Sequence, residues 1–370
     1  MRGLNDTIKR LSALRLASEA FGDGAASDLR ELTDFGSNPG KLGAYVHVPD
    51  QLPAGSALVV VLHGCTQTAA GYDRGSGWSA LAERHGFAVL LPEQRRANNP
   101  NLCFNWYSRS DARRGRGEAS SIRQMVAAMV EQHGLDPARL FVTGLSAGGA
   151  MTSVMLATYP EVFAGGAIIA GLPFGSAYGV PQALERMRGQ GGPGDDELAG
   201  LVAGASKHRG PWPTLSVWHG SNDATVVPAN ADAIVEQWRS LHRVGQAPST
   251  IETVDGHVRR AWSDADGRDV IEQYEIGGMG HGTPLDGRAD GETGTVGPYM
   301  LDAGISSTQH IARSWGLVGP ASARKAANDG AGVDVVRSAP AVRVPTPPIA
   351  AKDGVTEVIE NALRAAGLMR

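Results

Sequence analysis

The sequence predicts an α/β architecture, a mostly parallel central sheet with helices on both faces, and three observations carry that prediction. Short, continuous apolar runs of the kind shown by strands buried on both faces recur along the chain: "ALVVVLHG", "FAVLLPE", "LFVTG", "GGAIIAG" and "TLSVWHG". Stretches of helical character separate them, among them "WSALAERHG", "EASSIRQMVAAMVEQHG", "AGGAMTSVMLATYP" and "NADAIVEQWRSLHRVG". Finally, 370 residues with 42% hydrophobic and 19% charged content hold enough apolar material for one large core or two small ones. In a parallel sheet of this kind, chemistry sits at the carboxyl ends of the strands.

Taken in order, "LGAYVHVP" alternates like an edge strand. "ALVVVLHG" and "FAVLLPE" then end in the loops "CTQTAAGY" and "NPNLCFNWYS", and "LFVTG" turns at once into a helix. Residues 172–212, after "GGAIIAG", form a long insertion at the same edge, expected to act as a partial lid with "GQGGPGDD" as its hinge. "TLSVWHG" and "VIEQYEI" complete the strand series, and "SSTQHIARSWG" closes a domain spanning residues 40–317. Ahead of it, residues 1–39 place Leu4, Ile8, Leu11 and Leu14 on one helical face, to dock on the body or to bind a partner. Behind it come a Pro/Ala-rich linker over 318–354 and an amphipathic helix over 355–370, with Val355, Val358, Ile359, Ala362 and Leu363 on one stripe. The sequence does not name that helix's target; a polymer granule or a protein partner both fit an apolar stripe.

Composition excludes several functions. The formal net charge is -4, and the pairs Arg95–Arg96, Arg113–Arg114 and Arg259–Arg260 lie apart without interleaved aromatics, so no nucleic-acid footprint exists. No apolar run reaches the roughly 18 residues of a membrane span, and the first residues lack the continuous apolar core of a secretory signal. No metal is expected, because HExxH and paired CxxC are absent. No nucleotide cofactor is expected either: "GLSAGGAM" lacks the Walker lysine and the G-x-G-x-x-G spacing.

The corner between "LFVTG" and its helix reads Gly144-Leu145-Ser146-Ala147-Gly148. An abrupt strand-to-helix turn strains its central residue and pushes that side chain out over the sheet, and small neighbours avoid the clash. Ser146 is therefore a candidate nucleophile; an ordinary small-residue βα turn is the plain alternative. A serine hydroxyl needs a histidine base oriented by a carboxylate, in the chain order Ser, acid, His. Asp223 lies in the polar loop of "TLSVWHGSNDATVVP" and His281 in the glycine-rich loop of "VIEQYEIGGMGHGTP", both at strand ends. Asp232 is the second choice of acid, on a helix. His219 is placed behind Asp223, while His85, His133, His257 and His310 are read as structural or solvated. The oxyanion hole is expected from the N–H groups of Ala147 and Cys65, with Thr66 next and His63 bracing the loop.

Cys65 and Cys103 are the 2 cysteines. Two buried thiols are the default inside a cell; their position in loops at one edge of adjacent strands favours a disulfide. Trp106 and Trp218 are candidates to flank an acyl cleft, with a core role as the alternative for each.

"HGCTQT", "CFNWY", "RRGRGE", "GLSAGGAMT", "WHGSND" and "GMGHGTP", in this order, resemble the esterase family of poly(3-hydroxybutyrate) depolymerases, an α/β-hydrolase group that includes feruloyl and acetylxylan esterases. The resemblance covers residues 40–317. It implies Ser146 as nucleophile, Asp223 and His281 as its relay, the Cys65 loop as oxyanion loop, no cofactor, and an extracellular or periplasmic location. Secreted members have a signal peptide and a polymer-binding domain, where this chain has a linker and a helix. The expected activity is acyl-enzyme hydrolysis of polyhydroxybutyrate-type polyesters or oligomers. Carbohydrate ester hydrolysis is the rival, and a granule-binding protein with weak hydrolysis is the reading from another class.

Overall fold

Runs of Val, Leu and Ile that cannot face water on either side are satisfied only in the middle of a sheet covered twice. The computed structural model describes residues 28–289 and 291–319. The expected terminal helices lie outside the described residues, as does nearly all of the linker. Strands β1 (Arg30–Glu31), β2 (Gly43–His47) and β3 (Leu58–Leu62) come first, and helices α1 (Ala69–Ser76) and α2 (Trp78–His85) lead to β4 (Ala88–Glu93). The central units are α3 (Gly117–His133), β5 (Leu140–Leu145), α4 (Ala147–Thr158) and β6 (Gly165–Ile169). The insertion carries α5 (Val180–Met187) and α6 (Asp195–Ala205), and β7 (Thr214–Gly220) and α7 (Ala229–His242) follow it. The chain then forms β8 (Thr250–Val254), β9 (His257–Ser263), β10 (Asp269–Ile276), β11 (Thr283–Leu285), β12 (Met300–Asp302) and α8 (Ser307–Ser314).

The main sheet has the order β1-β2-β4-β3-β5-β6-β7-β10-β9-β8. From β4 to β10 every neighbour is parallel. The flanks are antiparallel: β2 on β4 at one side, and the β8–β9 hairpin on β10 at the other. Pairing Gly144 with Leu62 and with Ile168 puts the end of β5 at the centre of the carboxyl edge.

Successive strand residues face opposite sides, and the two cores divide accordingly. Leu58, Val60 and Leu62 of β3 join α3, α4 and α7 in one core. Val59 and Val61 join α1, α2 and α8 in the other. All five residues of β3 are at most 1% exposed, and each such side chain contributes about 1.5–3 kcal/mol on burial. Apolar residues on both faces explain why the run reads as continuous instead of alternating.

Candidate active site

Ser146 occupies the corner between β5 and α4 with φ 56° and ψ -116°, a left-handed, strained conformation for a residue with a Cβ. Backbone contacts over-determine it. The Ser146 N–H donates to Ile169 O at 2.9 Å and its carbonyl accepts from Ala150 N at 2.8 Å. A Cβ on Gly148 would lie 2.2 Å from Leu62 O, and one on Gly144 would lie 2.6 Å from the Gly148 carbonyl. The glycines flanking Ser146 are thus required by close backbone packing, and α4 begins directly under the hydroxyl.

The loops after β7 and β10 meet because Gly220 lets them. A Cβ there would stand 2.3 Å from Met279 O, and Asn222 N donates to that same oxygen at 2.9 Å. The approach brings His281 Nδ1 to 2.7 Å from Asp223 Oδ2, both side chains nearly buried. Asp223 Oδ1 accepts from the N–H groups of Thr225 and Val226 at 2.8 and 2.9 Å. His219 Nε2 donates to Val226 O at 2.7 Å and lies 3.4 Å from Asp223 Oδ2. Burial opposes the charge of Asp223, but the bonds from His219 and His281 outweigh it and hold its carboxyl well below the usual carboxylate range. An ionised Asp223 requires the hydrogen on His281 Nδ1, which leaves Nε2 as the basic nitrogen.

Asp232, the second choice of acid, is exposed on α7 and accepts from Gln273 Nε2 at 2.7 Å, away from this pair. His257 and His310 also have structural partners: the former bonds Gly277 N and Ala303 O, the latter pairs with Asp255.

Cys65 and Cys103 form a disulfide, and Thr66 N donates to Asn101 O at 2.7 Å, so two links tie the loop after β3 to the loop after β4. Thr66 is thereby used up as a donor. Among the described residues no hydrogen bond takes up the N–H of Cys65 or of Ala147. His63 donates from Nδ1 to Gly64 O at 2.8 Å and accepts at Nε2 from Gln94 N at 3.1 Å. Burial keeps this ring neutral, with its pKa pushed down to about 4.

A carboxylate that sequence reasoning passed over organises the second loop. Glu118, in the first turn of α3 and 1% exposed, accepts from Gln94 Nε2, Asn105 N and Asn105 Nδ2 at 2.5, 2.8 and 2.7 Å. It sits at the end of "RRGRGE", which reads as a solvated loop; only the tertiary contacts reveal the strut.

Ser146, Ala147 and Cys65 lie on a cleft of about 720 Å³. Trp106 lines it, with Leu172, Val180, Leu184 and Met187 of the insertion forming an apolar wall. Trp218 does not reach it, which corrects the sequence expectation. This residue is fully buried in the opposite core, stacked on Tyr274 with ring centroids 3.7 Å apart and its indole N–H on Ser216. A strand covered on both faces sends neighbouring side chains to different cores, and the apolar run does not say which. Among the described residues no cluster of His, Cys, Asp and Glu is placed to hold a metal ion, and no helix is long and apolar enough to cross a membrane.

A parallel sheet that presents a serine from such a corner, with an Asp–His pair at the same edge, defines the α/β-hydrolase class. The solved acetyl xylan esterase from Aspergillus awamori has this fold: it is 26% identical, with a TM-score of 0.67 over 79% of this chain and 100% of that one. Residues 46–260 match the family described as Esterase PHB depolymerase, and the chain belongs to that family. Poly(3-hydroxyalkanoate) depolymerase C of Paucimonas lemoignei is 47% identical over 297 residues, 79% of this chain and 70% of that protein. Acetylxylan esterase A of Aspergillus oryzae is 32% identical over 293 residues, 76% of this chain and 94% of its own length. The protein is a carboxylic ester hydrolase.

Proposed function

We propose that the protein hydrolyses hydroxyalkanoate polyesters or their oligomers through a Ser146–His281–Asp223 triad. The observation that carries this is the buried Asp223–His281 contact at the strand edge where Ser146 opens into an apolar-walled cleft. Ser146 Oγ attacks the ester carbonyl and its proton passes to His281 Nε2, while Asp223 holds the ring and balances the imidazolium. The carbonyl oxygen becomes an oxyanion facing the N–H groups of Ala147 and Cys65, where each donor is worth about 10²–10³ in rate. Collapse expels the alcohol with the proton from His281, leaving an acyl-enzyme. Water, deprotonated by His281, releases the acid and restores Ser146.

Residues 40–317 act as the catalytic domain in this reading, and residues 172–212 as a partial lid whose α5 supplies the acyl wall. Greater identity to the polyester depolymerase than to the acetylxylan esterases supports the polymer as substrate. The disulfide suits an oxidising compartment, and by locking the oxyanion loop it has a catalytic consequence as well.

The test is release of soluble 3-hydroxybutyrate from an amorphous polyhydroxybutyrate suspension, with a feruloyl ester run alongside. Wild-type release, falling about 10⁴-fold or more in Ser146→Ala with the fold intact by circular dichroism, is the expected result. No release, with rapid cleavage of the feruloyl ester, would move the protein to carbohydrate esters.

A further inference from the structure

Two charged side chains, Arg109 and Asp111, line the cleft that holds Ser146. Asp111 is engaged: its Oδ2 accepts from Ser108 Oγ at 2.7 Å and from Ser110 Oγ at 2.9 Å. Arg109 is exposed and makes no ion pair among the described residues. Its guanidinium lies over the Tyr178 ring, 4.1 Å from the centroid. That ring comes from the insertion, and Gly179 N donates to Tyr107 O at 3.0 Å, so the insertion and the Tyr107–Arg109 stretch are joined there. An aromatic face restrains an arginine without using its N–H donors. A fork of donors is thus held at the cleft wall with its bidentate edge uncommitted.

We infer that Arg109 is a carboxylate-binding subsite that receives the acid terminus of a short hydroxyalkanoate oligomer. The inference rests on the polyester reading above. In such an oligomer every interior ester is neutral and the one charge is the terminal carboxylate, which always lies on the alcohol side of the bond cut. Among the described residues, the one cationic side chain lining the cleft therefore selects chain direction. It draws the acid end, and the leaving alcohol attached to it, toward Arg109. The subsite favours charged oligomers over capped ones, through binding and not through the chemical step. Asp111 is the acidic neighbour that limits the gain, and its two serine donors reduce that opposition.

The experiment compares the linear 3-hydroxybutyrate trimer as free acid with its methyl ester, using wild type, Arg109→Gln and Arg109→Lys at low and high salt. Wild type should show the lower KM for the free acid. Arg109→Gln should raise that KM about three- to tenfold, leave the methyl ester and kcat unchanged, and lose the salt dependence. Arg109→Lys should keep part of the preference, since a point charge replaces a fork. Equal shifts for acid and methyl ester would overturn the inference, because they would mean that Arg109 only supports Tyr178; so would no shift in either. If wild type cleaves neither trimer but turns over the feruloyl ester, the polyester reading itself fails and takes the subsite with it.

Discussion

Asp223 has no freedom left. Both lone-pair edges of its carboxylate are taken, Oδ1 by two backbone N–H groups and Oδ2 by His281. An amide cannot replace it, since an NH₂ facing His281 Nδ1 turns the ring to the tautomer whose hydrogen sits on Nε2, where the base is needed. Asp223→Asn should lower kcat about 10⁴-fold with KM nearly constant, measured on a soluble short-chain ester. His219 is a positioning residue whose Nε2 hydrogen reaches Val226 O and Asp223. His219→Phe should cut kcat about tenfold, the loss of one charge-assisted bond. It should also shift acid unfolding. The folded pKa of Asp223 lies below its ordinary 3.8, so the stability it contributes is whole above that value and drains away as pH falls. Weakening the His219 bond narrows this gap, and the acid midpoint read by circular dichroism should move up. Ser146, Asp223 and His281 are legible as candidates because glycine-rich loops after apolar strands announce them. The interior side of Trp218 is not legible, because a run buried on both faces carries no face label.

Between β4 and α3 the loop bearing Cys103, Asn105 and Trp106 is held by two unlike devices. Glu118 grips Asn105 from inside, and the disulfide ties Cys103 to Cys65 in the loop after β3. Burial pushes the pKa of Glu118 up to about 8 from 4.5, so the folded state holds this proton where the unfolded chain has lost it. By linkage its contribution to stability is complete below 4.5 and is lost as pH rises through about 8. Wild-type Tm should therefore fall across that window and that of Glu118→Gln should fall less. Glu118→Gln should also be about 1–3 kcal/mol less stable at the acid end, since an amide NH₂ faces donors there. The disulfide spans a sequence separation of 38 residues; by chain entropy, losing such a loop closure costs about 4 kcal/mol. Cys65→Ser/Cys103→Ser should show that loss in denaturant melts and a drop in kcat of about tenfold or more, as the Cys65 N–H loses its fixed aim. The cysteine pairing is open to sequence reasoning because both residues lie in loops that follow adjacent strands. The Glu118 strut was not, since a glutamate in a first helical turn is ordinarily solvated.

At the scale of the molecule, residues 28–319 hold the two cores seen among the described residues and every group assigned to the chemistry. A parallel arrangement could be read from the sequence because apolar runs between helices admit little else, whereas the strand order depends on which edges meet and leaves no local trace. Tyr178 shows the same limit: it faces Arg109 only because the insertion folds back to Tyr107. The contacts of the site seen among the described residues close within residues 28–319, and removing residues 320–370 should leave kcat/KM on a soluble ester within about twofold. Polymer is a different substrate, because a solid surface has to be gripped before a chain end enters a cleft of about 720 Å³. The apolar stripe expected at Val355, Val358, Ile359, Ala362 and Leu363 is a sequence feature suited to that task. Co-sedimentation with amorphous polyhydroxybutyrate particles, scored beside soluble-ester turnover, separates the two tasks. The truncated protein should lose most of its particle binding while keeping its turnover. Equal binding by both forms would assign the grip to the exposed Tyr178 and its neighbours at the cleft mouth, and the C-terminal stripe would then require another partner.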